Sequence, residues 1–198
     1  MIYPIVAYGD PVLRKKAITI EKGTALQGLV NDMLTTMDLA HGVGLAAPQI
    51  GKNIRLFVVD LAQYLATEGS SKAGKKVLIN PVLKIDETVA PSIYEEGCLS
   101  IPNILVEVPR KEKITICYFD VKWQLHEEEW TGFPARILQH EYDHLEGKLH
   151  IDYASSLRKS LLKSKLKAIS QGKVDVPYAM HFPTQRRDAP DPQPATRP

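Results

Sequence analysis

The residues best placed to do chemistry lie in Gln139-His140-Glu141-Tyr142-Asp143-His144-Leu145-Glu146-Gly147. Two histidines stand four positions apart with a glutamate directly after the first. On a helix, that spacing projects His140 and His144 from one face, a turn apart. Two imidazoles so placed suit a single metal ion, with the Glu141 carboxylate beside a water that such an ion would hold. A helix is well signalled here: Pro134 sits where a first-turn proline is tolerated, no breaker interrupts 135–145, and Gly147 is placed to end it in the left-handed conformation. Two histidines leave a catalytic site one ligand short, because such a site usually takes three protein ligands and keeps one position open.

Two residues compete for third ligand. The spacing His140-Glu141-x-x-His144-x-x-Gly147-x-x-His150 matches the long zinc motif of metzincin proteases. That motif also wants a Met-turn downstream, and the only later methionine, Met180, lies in a proline-bounded segment. The other candidate is Cys98, in Glu95-Glu96-Gly97-Cys98-Leu99-Ser100, flanked by glycine and polar residues. A thiolate there completes a Cys/His/His set. Cys117 lies in an apolar strand pattern and reads as a small core residue.

The elements that must position these groups follow from periodicity. Residues 5–20 read as an extended arm with turn signals at Gly9-Asp10-Pro11. Leu26, Leu29, Val30, Met33, Leu34 and Met37 have helical spacing, which predicts a first helix over 24–40. His41-Gly42-Val43-Gly44-Leu45-Ala46-Ala47-Pro48-Gln49-Ile50-Gly51 reads as a tight loop whose small residues let backbone approach a ligand. Strands are expected at 54–60, 77–79, 82–85, 88–94, 104–108 and 113–119, with a further hairpin within 121–130 and a loop over 63–76. Strands followed by a helix, without regular alternation, predict an α+β fold. Mainly antiparallel sheets would pack around the central metal-binding helix, with an N-terminal and a C-terminal helix beside it.

A chain of 198 residues with 44% hydrophobic content supports one domain with a real core. We expect a catalytic body over 1–173 and a proline-rich irregular tail over 174–198. A net charge of +2 is too small to argue for nucleic acid by itself, and we expect no DNA partner. No apolar run approaches membrane-spanning length, and no charged-then-apolar leader begins the chain. Two cysteines are no disulfide framework, so a cytoplasmic protein with reduced thiols is expected. Residues 154–173 carry Arg158, Lys159, Lys163, Lys165, Lys167 and Lys173 with no acid. Leu157, Leu161, Leu162, Leu166 and Ile169 supply an apolar stripe, so a basic amphipathic helix is predicted. Phe133, Arg136 (through its methylenes) and Ile137 precede His140 on its own flank of the helix. With Val43 they are candidate walls of an apolar side-chain pocket.

Three stretches together resemble the three motifs of the peptide deformylases: Gly42-Val43-Gly44-Leu45-Ala46-Ala47-Pro48-Gln49, Glu96-Gly97-Cys98-Leu99-Ser100 and Gln139-His140-Glu141-Tyr142-Asp143-His144. Their order and separation fit, over roughly residues 1–170. The resemblance implies removal of the formyl group from formyl-methionyl nascent polypeptides. It implies one divalent metal, natively Fe²⁺, with Zn²⁺, Ni²⁺ or Co²⁺ able to substitute. It assigns the metal to Cys98, His140 and His144, and general acid/base catalysis to Glu141. The Gln49 amide and the Leu99 backbone N–H become oxyanion donors, and Gly44 and Gly97 substrate-backbone contacts. It also suggests a ribosome contact through the basic helix, where Lys159, Lys163 and Lys167 repeat every fourth residue. A competing class is a non-catalytic, metal-stabilised module docking on ribosomes, which would have no need of Glu141 beside an open coordination position.

Overall fold

A computed structural model describes residues 1–65 and 74–183. In chain order the elements are β1 (Ile5–Val6), α1 (Gln27–Leu39), β2 (Gly44–Ala46), β3 (Leu56–Asp60), α2 (Ala62–Leu65), β4 (Lys75–Ile85), β5 (Pro91–Cys98), β6 (Ile101–Lys111), β7 (Lys113–Phe119), β8 (Leu125–Thr131), α3 (Gly132–Leu145), α4 (Ser156–Ser170) and β9 (Met180–His181). Mixed helices and antiparallel sheets make this the expected α+β class. One antiparallel sheet runs β2-β3-β4-β7-β8, a second is the β5-β6 hairpin, and β1 pairs in parallel with β9.

The side-chain period of two divides the core. On β3, Phe57 and Val59 face one cluster and Leu56 and Val58 another. The first cluster holds Ala135, Ile137, Leu138 and Leu145 of α3 against Ile114, Ile116 and Trp130 of the sheet. The second takes Val30, Met33 and Met37 of α1. A third joins Ile104, Val106 and Val108 of β6 to Leu162, Leu166 and Ile169 of α4. Thus α3 and α4 flank the strands that carry the candidate residues.

α3 ends as its sequence requires. Gly147 takes φ +70°, and a Cβ there would meet the Arg14 carbonyl carbon at 2.8 Å, so both its conformation and its packing call for glycine. Other expectations need correction. α1 starts at Gln27, not at 24, because Thr24 is tied into a turn by its N–H and its hydroxyl, both donating to Glu21 O. The loop expected over 63–76 holds the end of α2 and the start of β4, with 66–73 outside the described residues. The runs 77–79 and 82–85 form one strand whose register shifts between Ile79 and Val82, where Asn80 is left-handed (φ +50°).

The strand expected over 88–94 begins instead at Pro91, since Asp86 Oδ1 accepts from the Thr88 N–H and holds that residue in a turn. It then runs on to Cys98, so the cysteine motif ends a strand and is not a loop. Cys117 is no core residue: Ile114, Ile116 and Tyr118 are the buried face of β7, and Cys117 sits half-buried on the other, opposite Glu127. The stripe on α4 is narrower than expected. Leu162, Leu166 and Ile169 are buried, whereas Leu157 and Leu161 are exposed. At about 100° per residue those two fall roughly 80° or more around the helix from the buried three. From the segment expected as an irregular tail, residues 174–183 fold back onto the body and supply β9; 184–198 lie outside the described residues.

Candidate active site

β5 and α3 bring the candidate ligands together. Alternation along β5 puts Glu96 and Cys98 on one face, and the Leu99-Ser100 turn leads straight into β6 with Cys98 opposite Ile101. On α3, His140 and His144 stack a turn apart, their rings 5.1 Å between centroids and nearly perpendicular. One ligand atom from each of Cys98, His140 and His144 lies within 4.8 Å of the other two, with Cys98 Sγ 3.4 Å from His144 Nε2. The His140 ring is oriented by Glu96, whose Oε2 accepts from Nδ1–H at 2.9 Å. That carboxylate is otherwise filled by Arg110 and Arg136 at 2.8–3.0 Å and can only accept, so Nε2 of His140 is left free to ligate.

The electrostatics fit a cation. Burial pushes the Cys98 thiol up, but the histidines around it outweigh burial and hold it well below its ordinary range. Burial alone would lower His140; its bonds to Cys98 and Glu96 instead raise it to about 10. A thiolate against a protonated imidazole is a pair a metal can replace by taking the imidazole's proton position. His144 Nδ1 and Glu141 Oε2 are buried with no hydrogen-bond partner among the described residues. A soft thiolate and two imidazoles, with one position open, is a donor set for a divalent transition ion.

Glu141 lies 4% exposed, and burial raises its pKa. β2 passes so close that a Cβ on Gly44 would stand 2.8 Å from Glu141 Cγ and nearer still to its carboxylate. Gln49 comes from a short 3₁₀ turn after β2. Its Oε1 accepts from the Ala46 N–H at 2.8 Å, which aims its amide donors at Cys98 Sγ and Ser100 Oγ, each 3.5 Å away.

Around these groups is a cavity of about 460 Å³. Val43, Gly44, Gln49, Gly97, Leu99, Phe133, Arg136 and Ile137 all line it, together with Cys98, His140 and Glu141. Phe133 rests against Tyr64 (centroids 4.8 Å apart), and Ile137 serves both the cavity and the core behind it. Arg136 contributes more than methylenes, since its guanidinium also binds Val108 O and Ser92. His150 is not in the ligand set. It is 1% exposed, its ring 6.1 Å from that of His140, and its Nε2–H donates to Ile104 O at 3.2 Å.

Two parts of the site escaped the sequence reading. Glu96 was visible only as a motif letter; the general need of a ligand histidine for a partner on its second nitrogen could have singled it out. Tyr178, whose hydroxyl donates to Leu99 O at 2.9 Å, gave no signal at all.

The comparisons agree with this geometry. The family profile described as Polypeptide deformylase matches residues 2–160. The peptide deformylase of Christiangramia forsetii is 49% identical over 195 residues, covering 94% of this chain and 99% of its own length. That of Cytophaga hutchinsonii is 49% identical, covering 94% and 100%. Among solved structures, the peptide deformylase from Legionella pneumophila superposes with a TM-score of 0.75 at 37% identity, over 87% of this chain and 98% of that one. With the Cys/His/His group on the same motifs that carry the likeness, the chain belongs to the polypeptide deformylase family.

Proposed function

We propose that Cys98, His140 and His144 hold one divalent ion on α3, the central helix of the fold, and that the surrounding cleft is where this hydrolase removes the formyl group from formyl-methionyl nascent polypeptides. The observation that carries the reading is the convergence of those three donors beside a buried, unpartnered Glu141 carboxylate in one cavity. Ferrous iron is the proposed native ion, with zinc, nickel or cobalt able to replace it. When bound, such an ion lowers the pKa of water and makes a hydroxide nucleophile available at neutral pH.

The chain's own residues do the rest. Glu141, its basicity raised by burial, takes the proton of the attacking water and delivers it to the departing amine, so the peptide leaves neutral. Negative charge develops on the former formyl oxygen. The Gln49 amide, held by Ala46 N–H, and the Leu99 N–H are aimed at it, and one such donor is typically worth about 3 kcal/mol. Gly44 and Gly97 let the substrate backbone approach. Val43, Phe133, Ile137 and the methylenes of Arg136 receive the methionine side chain. A formyl carbon bears only hydrogen, which suits a site this crowded and disfavours bulkier acyl groups.

No described helix is long and apolar enough to cross a membrane. We further propose that the protein works in the cytoplasm, that 1–173 is the catalytic body, and that the basic face of α4 meets ribosomal RNA. Anaerobic purification with metal analysis, paired with a formyl-Met-peptide assay, tests the reading. One bound iron per chain is expected. Glu141→Gln should retain that iron and lose roughly 10²–10⁴-fold in kcat, the usual worth of a positioned acid/base. Near-normal turnover in the metal-loaded variant refutes the role of Glu141.

A further inference from the structure

The family profile ends at residue 160, and the cleft does not. Asp175, Val176, Pro177 and Tyr178 line the same cavity as Cys98 and Glu141. This wall is anchored at its downstream end. The Tyr178 hydroxyl donates to Leu99 O at 2.9 Å, and burial with the neighbouring Cys98 pushes its pKa up to about 12, so it stays a donor at neutral pH. Directly after it, β9 pairs with β1. Ile5 N–H donates to Ala179 O and Ala7 N–H to His181 O, both at 2.8 Å. Met180 and Phe182 pack on the cluster of Val6, Leu166 and Ile169.

The exposed ionisable groups on the cavity rim are His41, Glu95 and Asp175. Deeper in, Glu96, Arg136 and His140 are bonded to one another and turned from solvent. Among the described residues neither Glu95 nor Asp175 has a hydrogen-bond or ion-pair partner for its carboxylate, so the rim is negative whichever state the His41 imidazole takes. A polypeptide whose first residue sits at Cys98 and Glu141 must leave through this mouth, and its next side chains pass the two carboxylates.

We propose that the segment Asp175–Tyr178 is a wall of the peptide-binding cleft, and that Asp175, with Glu95 on the same rim, favours substrates with basic side chains after the formyl-methionine. The proposal rests on the deformylase reading of the site. Two unit charges roughly 6–8 Å apart in water attract or repel by a factor of about two to three. Each carboxylate therefore contributes about four- to ninefold to a Lys-over-Glu preference at low ionic strength, falling as salt screens it.

The test compares kcat/KM for formyl-Met-Lys, formyl-Met-Ala and formyl-Met-Glu tripeptide amides, with Lys and Glu placed at the second and third positions in turn. Wild-type enzyme should prefer Lys to Glu by at least fourfold at one position. Asp175→Asn should reduce that ratio about four- to ninefold, and Asp175→Lys should push it further towards Glu. Tyr178→Phe, which releases the wall from Leu99, should also reduce it. Because the readout is a ratio, a general loss of activity cancels. A Lys:Glu ratio within twofold in wild type, or one unchanged in Asp175→Asn, overturns the proposal. Failure of wild-type enzyme to cleave formyl-Met-Ala would instead overturn the deformylase reading beneath it.

Discussion

Replacing Glu96 by Gln removes the negative charge at the centre of the most heavily bonded cluster in the molecule. The Glu96 side chain is 7% exposed and accepts from Arg110 Nε and NH2, Arg136 NH1 and His140 Nδ1. An amide keeps one acceptor but must turn its NH2 towards donors, and two buried guanidinium groups lose their shared counter-charge. Arg110 keeps Asp143, and Arg136 keeps Val108 O and Ser92, so the loss is of one partner, not of the whole network. Breaking a buried pair this way costs about 3–5 kcal/mol. At about 2–4 °C per kcal/mol for a chain this long, the melting temperature should fall by about 6–20 °C. The same substitution unties the His140 ring, and loss of such a partner typically costs 10–100-fold in metal affinity.

The pH dependence has a definite sign. Burial raises the Glu96 pKa, but His140 and Arg110 outweigh it and hold the carboxyl well below the usual range. A depressed carboxylate stabilises fully above its unfolded pKa and loses that contribution as pH falls towards its folded one. The stability gap between wild type and Glu96→Gln should therefore be constant above about pH 5 and narrow below about pH 4.5. Thermal melts across pH, with chelator competition for the metal, measure both effects. A melting temperature within about 2 °C of wild type at pH 7 would refute the account of a charge-centred network.

Three other outcomes are expected. Cys98→Ala should lose the metal, whereas His150→Ala should keep one per chain and lose about 1–3 kcal/mol of stability by leaving Ile104 O unpaired; metal analysis and melts separate the two, and the reverse pattern would restore the protease-type ligand set. Gly44→Ala puts a methyl group into the Glu141 carboxylate and should cost about 10²-fold in kcat/KM with metal retained, the usual penalty for misplacing a catalytic group by about 1 Å. Reversing the exposed Lys159, Lys163 and Lys167 to Glu should abolish salt-sensitive co-sedimentation with ribosomes while sparing hydrolysis of a short formyl-Met peptide.

What could be read from the sequence follows physical range. The metal helix was legible because its ligands lie within one turn of each other, and its boundary residues, Pro134 and Gly147, act locally. The alternation of β7 was legible for the same reason. Boundaries failed where a side chain captured the backbone, as Asp86 does before β5, or where a helix stripe was counted too wide, as at Leu157 and Leu161. The Glu96 network was illegible because its partners lie 14, 40 and 44 positions away, and charge alone does not tell a buried arginine from a solvated one. Arg136 shows the difficulty. Its position on the helix placed it correctly beside the cavity, yet only the fold reveals that its guanidinium is spent on Glu96.

That network also explains why Glu96 is a more informative position than any ligand. Alternation places Glu96 and Cys98 on one face of β5, and the helical period places Arg136, His140 and His144 along one face of α3. Docking the two faces sets a ligand from each element and, in the same contact, the carboxylate that orients His140. Removing Cys98 deletes a donor, so loss of activity there cannot separate ligation from orientation. Glu96→Gln leaves all three donor atoms on the chain and alters only what holds one imidazole in place. If metal affinity falls in that variant while Cys98 and both histidines remain, the geometry of the centre depends on how the β5-β6 hairpin meets α3, and not on the ligands' identity alone.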